Sequence, residues 1–111
     1  MILFITSQDK SLQSQPNMQF GRAPFFIKYN MEKDAWEALE NPAQSEPGGA
    51  GIAASQFVIN NQASAVISGR FGPNAHNALK AAGIDLWTFD QNCETVAEVI
   101  ELFKSGLLSR G

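Results

Sequence analysis

The sequence predicts an α/β domain built on an open, partly parallel sheet, on three observations. The chain begins with a continuous apolar run, Ile2-Leu3-Phe4-Ile5, which is too short for a helix and suits a central strand buried on both faces. From Ala50 onward, helical and strand patterns alternate at βαβ spacing, which calls for parallel strands joined by crossover helices. The 111 residues, 44% of them hydrophobic, suffice for one core and not two, so residues 1–111 read as a single domain.

Taken in order, the first strand covers Ile2 to Ile5. The polar stretch from Thr6 to Gln19 is fourteen residues long, well beyond the usual connection of about four to six residues, and loops of that length are mobile or functional. Pro24 then leads into Phe25 to Tyr29, where Phe25, Ile27 and Tyr29 alternate with Phe26 and Lys28 in the period of two that marks a strand. The next segment, Met31 to Glu40, is ambiguous. Its Met31, Ala35, Leu39 spacing and its Ala/Glu/Leu content favour a helix on propensity, while its place after a strand suits a hairpin partner. Asn41-Pro42 ends it, because the residue before proline is pushed out of the helical region. Gln44 to Gly49 is a linker of small residues. A helix is predicted over Ala50 to Asn60, a strand over Ala65 to Ser68, a helix over Pro73 to Ala82, a strand over Leu86 to Phe89 and a final helix over Glu94 to Leu107. The last is amphipathic, with Val96, Ile100, Phe103 and Leu107 on one face, and Gly106 is placed to cap or fray it.

Composition excludes several classes of function. Charged residues make up only 17% of the chain, against a typical ~25%, and eight Asn and eight Gln take their place. Eight basic against eleven acidic side chains give a net charge of −3, which leaves no excess of cations for a run of phosphates, so no nucleic-acid partner is expected. With one cysteine and one histidine, Cys93 and His76, a Cys/His zinc site and an intrachain disulfide are excluded. The apolar start has no basic residues before it, and no run approaches the ~18 apolar residues of a membrane span. The expectation is a cytoplasmic protein with no membrane partner.

Three glycine-bearing segments are candidates for chemistry. Gly48-Gly49-Ala50-Gly51 opens a helix whose free amides could receive an anion; the alternative is a tight turn that needs small residues for packing. Gly69-Arg70-Phe71-Gly72-Pro73-Asn74-Ala75-His76 lies between a strand and a helix, beyond the carboxyl end of a parallel strand, where open α/β sheets bind ligands. Pro73 suits the first helical position. His76 then projects from the first turn, as a ligand or as an ordinary polar surface residue. In Gln19-Phe20-Gly21-Arg22-Ala23-Pro24, Arg22 could clamp an anion or tie down its loop through carbonyl contacts. Arg22 and Arg70 meeting at one crevice would make a local anion site on an acidic protein. Catalytic arrangements are missing: there is no P-loop Lys-Ser/Thr, and the first strand lacks the carboxylate that a metal-dependent ribonuclease-H-type nuclease usually carries there. Cys93 is followed by Glu94, which would raise rather than lower its pKa, so no thiol chemistry is expected there.

Together these segments resemble the dinitrogenase iron-molybdenum cofactor biosynthesis family. The matching residues are Phe20-Gly21-Arg22-Ala23-Pro24-Phe25-Phe26, Asn41-Pro42, Gly48-Gly49-Ala50-Gly51-Ile52, Gly69, Gly72-Pro73-Asn74-Ala75 and Ala78-Leu79-Lys80-Ala81-Ala82-Gly83-Ile84. The resemblance implies a ribonuclease-H-like α/β fold, with a mixed five-stranded sheet in which an antiparallel meander precedes βα alternation and helices pack on the sheet. It makes Met31 to Glu40 a third, edge-like strand. It also implies a non-enzymatic protein with the Gly21-Arg22, Gly48 to Gly51 and Gly72 to Asn74 turns around one cleft; with Arg70 and His76 added from the reading of the residues, the expected anion site is Gly21, Arg22, Gly48, Gly49, Gly51, Arg70, Gly72, Asn74 and His76. The implied cargo is iron-molybdenum cofactor, its precursor, another molybdenum or iron–sulfur cluster, or an oxyanion, and the implied partners are cofactor-assembly proteins. Gln19 and Ala23 stand where relatives carry His and sometimes Cys, which leaves His76 as the one candidate metal ligand. The alternative reading is an interaction or regulatory module that keeps the fold without binding metal.

Overall fold

The computed structural model describes residues 1–111. In chain order its elements are β1 (Ile2–Ser7), β2 (Phe25–Asn30), β3 (Ala35–Glu40), α1 (Ala50–Asn60), β4 (Ala65–Ser68), α2 (Pro73–Ala81), β5 (Asp85–Thr88), α3 (Val96–Lys104) and β6 (Ser109–Arg110). The sheet order is β3-β2-β1-β4-β5-β6. β1 runs antiparallel to β2 and parallel to β4, and β4 runs parallel to β5.

The continuous apolarity of β1 follows from its place. Phe4 faces a core shared with Phe26, Val66 and Leu86 and covered by Ala54 and Val58 of α1 and Ala75 and Leu79 of α2. Leu3 and Ile5 face the opposite core, with Ile27, Ala65, Ile67 and Val96, Val99 and Ile100 of α3. Both faces of the strand are dry, and each fully buried large side chain contributes about 1.5–3 kcal/mol. No helix is long and apolar enough to cross a membrane.

Two expectations are corrected. The helix that propensity favours over Met31 to Glu40 is a turn followed by β3, the strand that the family resemblance implied. The Asn30 side chain accepts hydrogen bonds from the amides of Glu32 and Lys33 at 3.0 and 3.2 Å. Asp34 takes a left-handed φ of 50°, and its carboxylate accepts a hydrogen bond from the Tyr29 hydroxyl. This hairpin chemistry sets Lys28 opposite Glu37 and Tyr29 opposite Trp36, so cross-strand pairing outweighs a weak helical propensity. The sheet also has six strands rather than five. Gly106, at φ 72°, closes α3 with bonds from its own amide to Phe103 O and from the Leu107 amide to Leu102 O. This helix-ending turn sends the chain back along β5, where Arg110 stacks 4.6 Å from the Trp87 ring. A two-residue strand carries no readable alternation.

Candidate anion site

Beyond the carboxyl ends of β1 and β4 lies a cleft of about 320 Å³, lined by Gln19, Phe20, Gly21, Arg22, Ala50, Gly51, Arg70, Phe71 and Gly72. The long loop after β1 forms one wall because its backbone is paired. The Asn17 amide donates to Thr6 O at 3.0 Å, and the Thr6 hydroxyl donates to Asn17 O at 2.6 Å. Gln19 then bridges to Arg70 in parallel register, with the Arg70 amide on Met18 O at 2.8 Å and the Phe20 amide on Arg70 O at 3.3 Å. Two loops distant in sequence are thereby joined side by side. Phe20 is buried beneath them, 5.3 Å from the Phe71 ring and 5.6 Å from Phe26, so the floor is anchored in the core.

Gly21 is small because α1 lies against it. A Cβ there would sit 3.1 Å from Gly51 N and 3.2 Å from the Ala50 carbonyl carbon, tighter than ordinary van der Waals contact. The first turns of α1 and α2 also touch, since a Cβ on Gly51 would lie 3.3 Å from that of Ala75. Two helix N-termini therefore meet beside the cleft. Neither carries a side-chain cap or an acidic residue in its first turn; their N-caps are Gly49 and Gly72. The first intrahelical bonds come from Ala53 and His76, so the amides of Ala50, Gly51, Ile52, Asn74 and Ala75 lack partners within the chain. α3 is different. Its Val96 and Ala97 amides donate to Ser14 O and Leu12 O, both at 2.9 Å, Thr95 Oγ1 accepts from the Glu98 amide, and Glu98 lies in the first turn. The chain caps the helix on the far side of the sheet and leaves open the two at the cleft.

The charged lining residues are Arg22 and Arg70, with no carboxylate among the lining side chains. Both arginines are exposed. Of the two sequence readings for Arg22, the carbonyl contacts are present: Nη1 donates to Gln44 O at 3.0 Å and to Glu46 O at 2.6 Å. The Arg70 side chain makes no hydrogen bond within the chain, its backbone alone being engaged in the bridge.

Of the residues singled out from the sequence, Gly21, Arg22, Gly51, Arg70 and Gly72 line the cleft. Gly48 and Gly49 form the turn into α1, Gly49 at φ 70°. Asn74 is exposed and His76 half-buried in the first turn of α2, outside the lining. No three His, Cys, Asp or Glu side chains gather where they could hold a metal ion. Gln19, Phe20, Ala50 and Phe71 also line the cleft; they lie within the three candidate segments but outside the nine residues expected to form the cleft, and the aromatic residues flanking each arginine turn were the available signal. Cys93 belongs to the opposite core and lines a separate cavity of about 190 Å³ with Thr88, Asp90 and Leu102. Burial, then the charges of Glu98 and Asp90, push its thiol pKa up.

A family model for the dinitrogenase iron-molybdenum cofactor matches residues 1–106. The chain belongs to this family. Among solved structures, the family fold appears in the apo form of the orange protein from Desulfovibrio gigas. That structure is 31% identical, covers 99% of this chain and 92% of its own, and superposes with a TM-score of 0.92. A Thermotoga protein described as NifB is also 31% identical, over 98% of this chain and 91% of its own, with a TM-score of 0.85. An uncharacterised protein of Methanocaldococcus jannaschii is 30% identical over 94 residues, 82% of this chain and 78% of that protein.

Proposed function

We propose that the protein is a small, non-enzymatic carrier that holds an anionic metal–sulfur cluster, or a related oxyanion, in the cleft between the Gly21-Arg22, Gly48 to Gly51 and Arg70 to His76 turns. The observation that carries this reading is the pair of adjoining, uncapped helix N-termini opening beside two guanidinium groups with no carboxylate in the lining. Unpaired amides and the positive ends of the helix dipoles favour an anion, and guanidinium adds bidentate hydrogen bonding. The net charge of −3 makes this local concentration of positive potential distinctive.

The donors suit a cluster held by charge and hydrogen bonds. No thiolate or imidazole lines the cleft, so the cargo's own sulfur or oxygen atoms would meet amides and guanidinium groups. His76 is proposed as an auxiliary ligand or N–H donor to a cargo that extends past the lining. Membership of an iron-molybdenum cofactor family and likeness to a protein solved in an apo form support the class of cargo. The implied partners are the cofactor-assembly proteins that deliver or receive it.

Anaerobic titration with tetrathiomolybdate, followed by absorption and by metal analysis after gel filtration, tests the reading. Saturable uptake that is weakened by Arg70→Gln is expected, and a smaller loss on His76→Ala supports the auxiliary role. Absence of uptake, or uptake equal in all three proteins, overturns it.

A further inference from the structure

We propose that Asn41 is the positioning residue of this site, setting Arg22 at both ends so that one edge of its guanidinium stays free for the anion. The inference rests on the anion-binding reading above. Asn41 is buried, and its side chain makes three hydrogen bonds. Nδ2 donates to Gly21 O at 3.2 Å and Ala23 O at 2.9 Å, the carbonyls on either side of Arg22, and Oδ1 accepts from the Ala43 amide at 3.0 Å. Asn41 also begins the turn that reaches the other end of Arg22. The Gln44 amide donates to Asn41 O at 3.3 Å and the Glu46 amide to Ala43 O at 3.1 Å. The carbonyls of Gln44 and Glu46 from that turn then hold Arg22 Nη1.

The donor count shows what this arrangement leaves over. A guanidinium has five N–H donors. Nη1 uses its two on the turn, while Nε and Nη2 make no hydrogen bond within the chain. The Nε–Nη2 edge is the side that takes an oxyanion or carboxylate-like ligand with two parallel bonds. Arg22 lines the cleft, and a side chain already fixed at its backbone and at one nitrogen loses less rotamer entropy when a ligand arrives. Anion binding and docking of the Gln44–Glu46 turn therefore reinforce each other, and the coupling is reciprocal.

A double-mutant cycle on tetrathiomolybdate affinity tests this. Arg22→Gln is expected to weaken binding about tenfold or more, as loss of charge-assisted bonds does, and Asn41→Ala about fivefold in the wild-type background, the lower end of the usual range for coupled sites. In the Arg22→Gln background Asn41→Ala should cost nothing further, because its effect passes through Arg22. Equal costs in both backgrounds would mark Asn41 as merely structural and overturn the proposal.

Because Asn41→Ala leaves two carbonyls without their donor, its failure to fold is covered by a second measurement on the wild-type chain. Saturating tetrathiomolybdate should slow hydrogen exchange at the Gln44 and Glu46 amides severalfold, and Arg22→Gln should speed exchange there without ligand. Exchange that is unchanged or faster on binding overturns the coupling. Lack of any uptake by the wild-type protein would instead sink the anion reading itself and this proposal with it. In that event faster exchange in Arg22→Gln would still report the Arg22 tether.

Discussion

Gly69→Ala should loosen the cleft without touching any charged group. The residue does not adopt a positive φ, so the cost is steric. A Cβ there would lie 2.5 Å from Met18 Cε, 2.6 Å from Sδ and 2.7 Å from Cα. The thioether can swing aside, but the backbone cannot, and ordinary van der Waals separation begins near 3.4 Å. Met18 is exposed, but its backbone, held in the bridge to Arg70, must still retreat by roughly 0.7 Å to reach ordinary contact. That movement stretches the bonds from the Arg70 amide to Met18 O and from the Phe20 amide to Arg70 O, now 2.8 and 3.3 Å. Each is worth about 1 kcal/mol, and overpacking at this exposed loop adds about 1 kcal/mol, the low end of its range, giving roughly 1–3 kcal/mol of destabilisation. Urea unfolding followed by Trp fluorescence measures it, and tetrathiomolybdate affinity should fall in the same variant. Adding Met18→Ala should recover only part of the stability, since the clash with the Met18 backbone persists. A Gly69→Ala protein within about 0.5 kcal/mol of wild type, the range of a neutral surface change, would refute the claim that the Gln19–Arg70 bridge depends on this close approach.

Other outcomes follow from the same geometry. Gln62 sits at φ 65° just after α1, so Gln62→Gly should stabilise the protein by about 1 kcal/mol, read as a higher urea midpoint at unchanged slope. Thr95→Ala removes the α3 cap and should cost about 1 kcal/mol while leaving tetrathiomolybdate affinity unchanged, because α3 lies on the far side of the sheet. Cys93, with its pKa pushed up by burial and by Glu98 and Asp90, should be alkylated by iodoacetamide more slowly than a free thiol near neutral pH. Its rate should keep climbing through the alkaline range where an ordinary thiol has already levelled off, since the thiolate is the reactive form, and peptide mass spectrometry follows both.

The parts of the fold that rest on periodicity were legible in the sequence. The predicted bounds of α1 and β4 coincide with the observed Ala50–Asn60 and Ala65–Ser68, where clear breaks flank the patterns, whereas the longer amphipathic pattern over Glu94 to Leu107 overran α3, Val96–Lys104, at both ends. β3 was not legible from propensity, because Ala35, Leu39 and the acidic residues around them suit a helix, and the deciding bonds come from Asn30 and Tyr29 outside the segment. β6 is set by contacts with Trp87 and Asp85, which no local pattern announces. At the site, glycine N-caps at Gly49 and Gly72 could be read as uncapped helix starts. Carbonyl contacts were one of the two readings open for Arg22, but which carbonyls it meets could not be read, because they lie 22 and 24 residues away, invisible to any side-chain motif.

The proposed anion seat rests on two guanidinium groups and two open helix starts meeting at the cleft. It is tested most directly by equilibrium titration of wild type, Arg22→Gln and Arg70→Gln with tetrathiomolybdate under anaerobic conditions at low and high salt. One saturable site is expected, weakening as salt screens the exposed arginines and losing about tenfold or more in affinity in each variant. Affinity that is indifferent to both substitutions and to salt would contradict it.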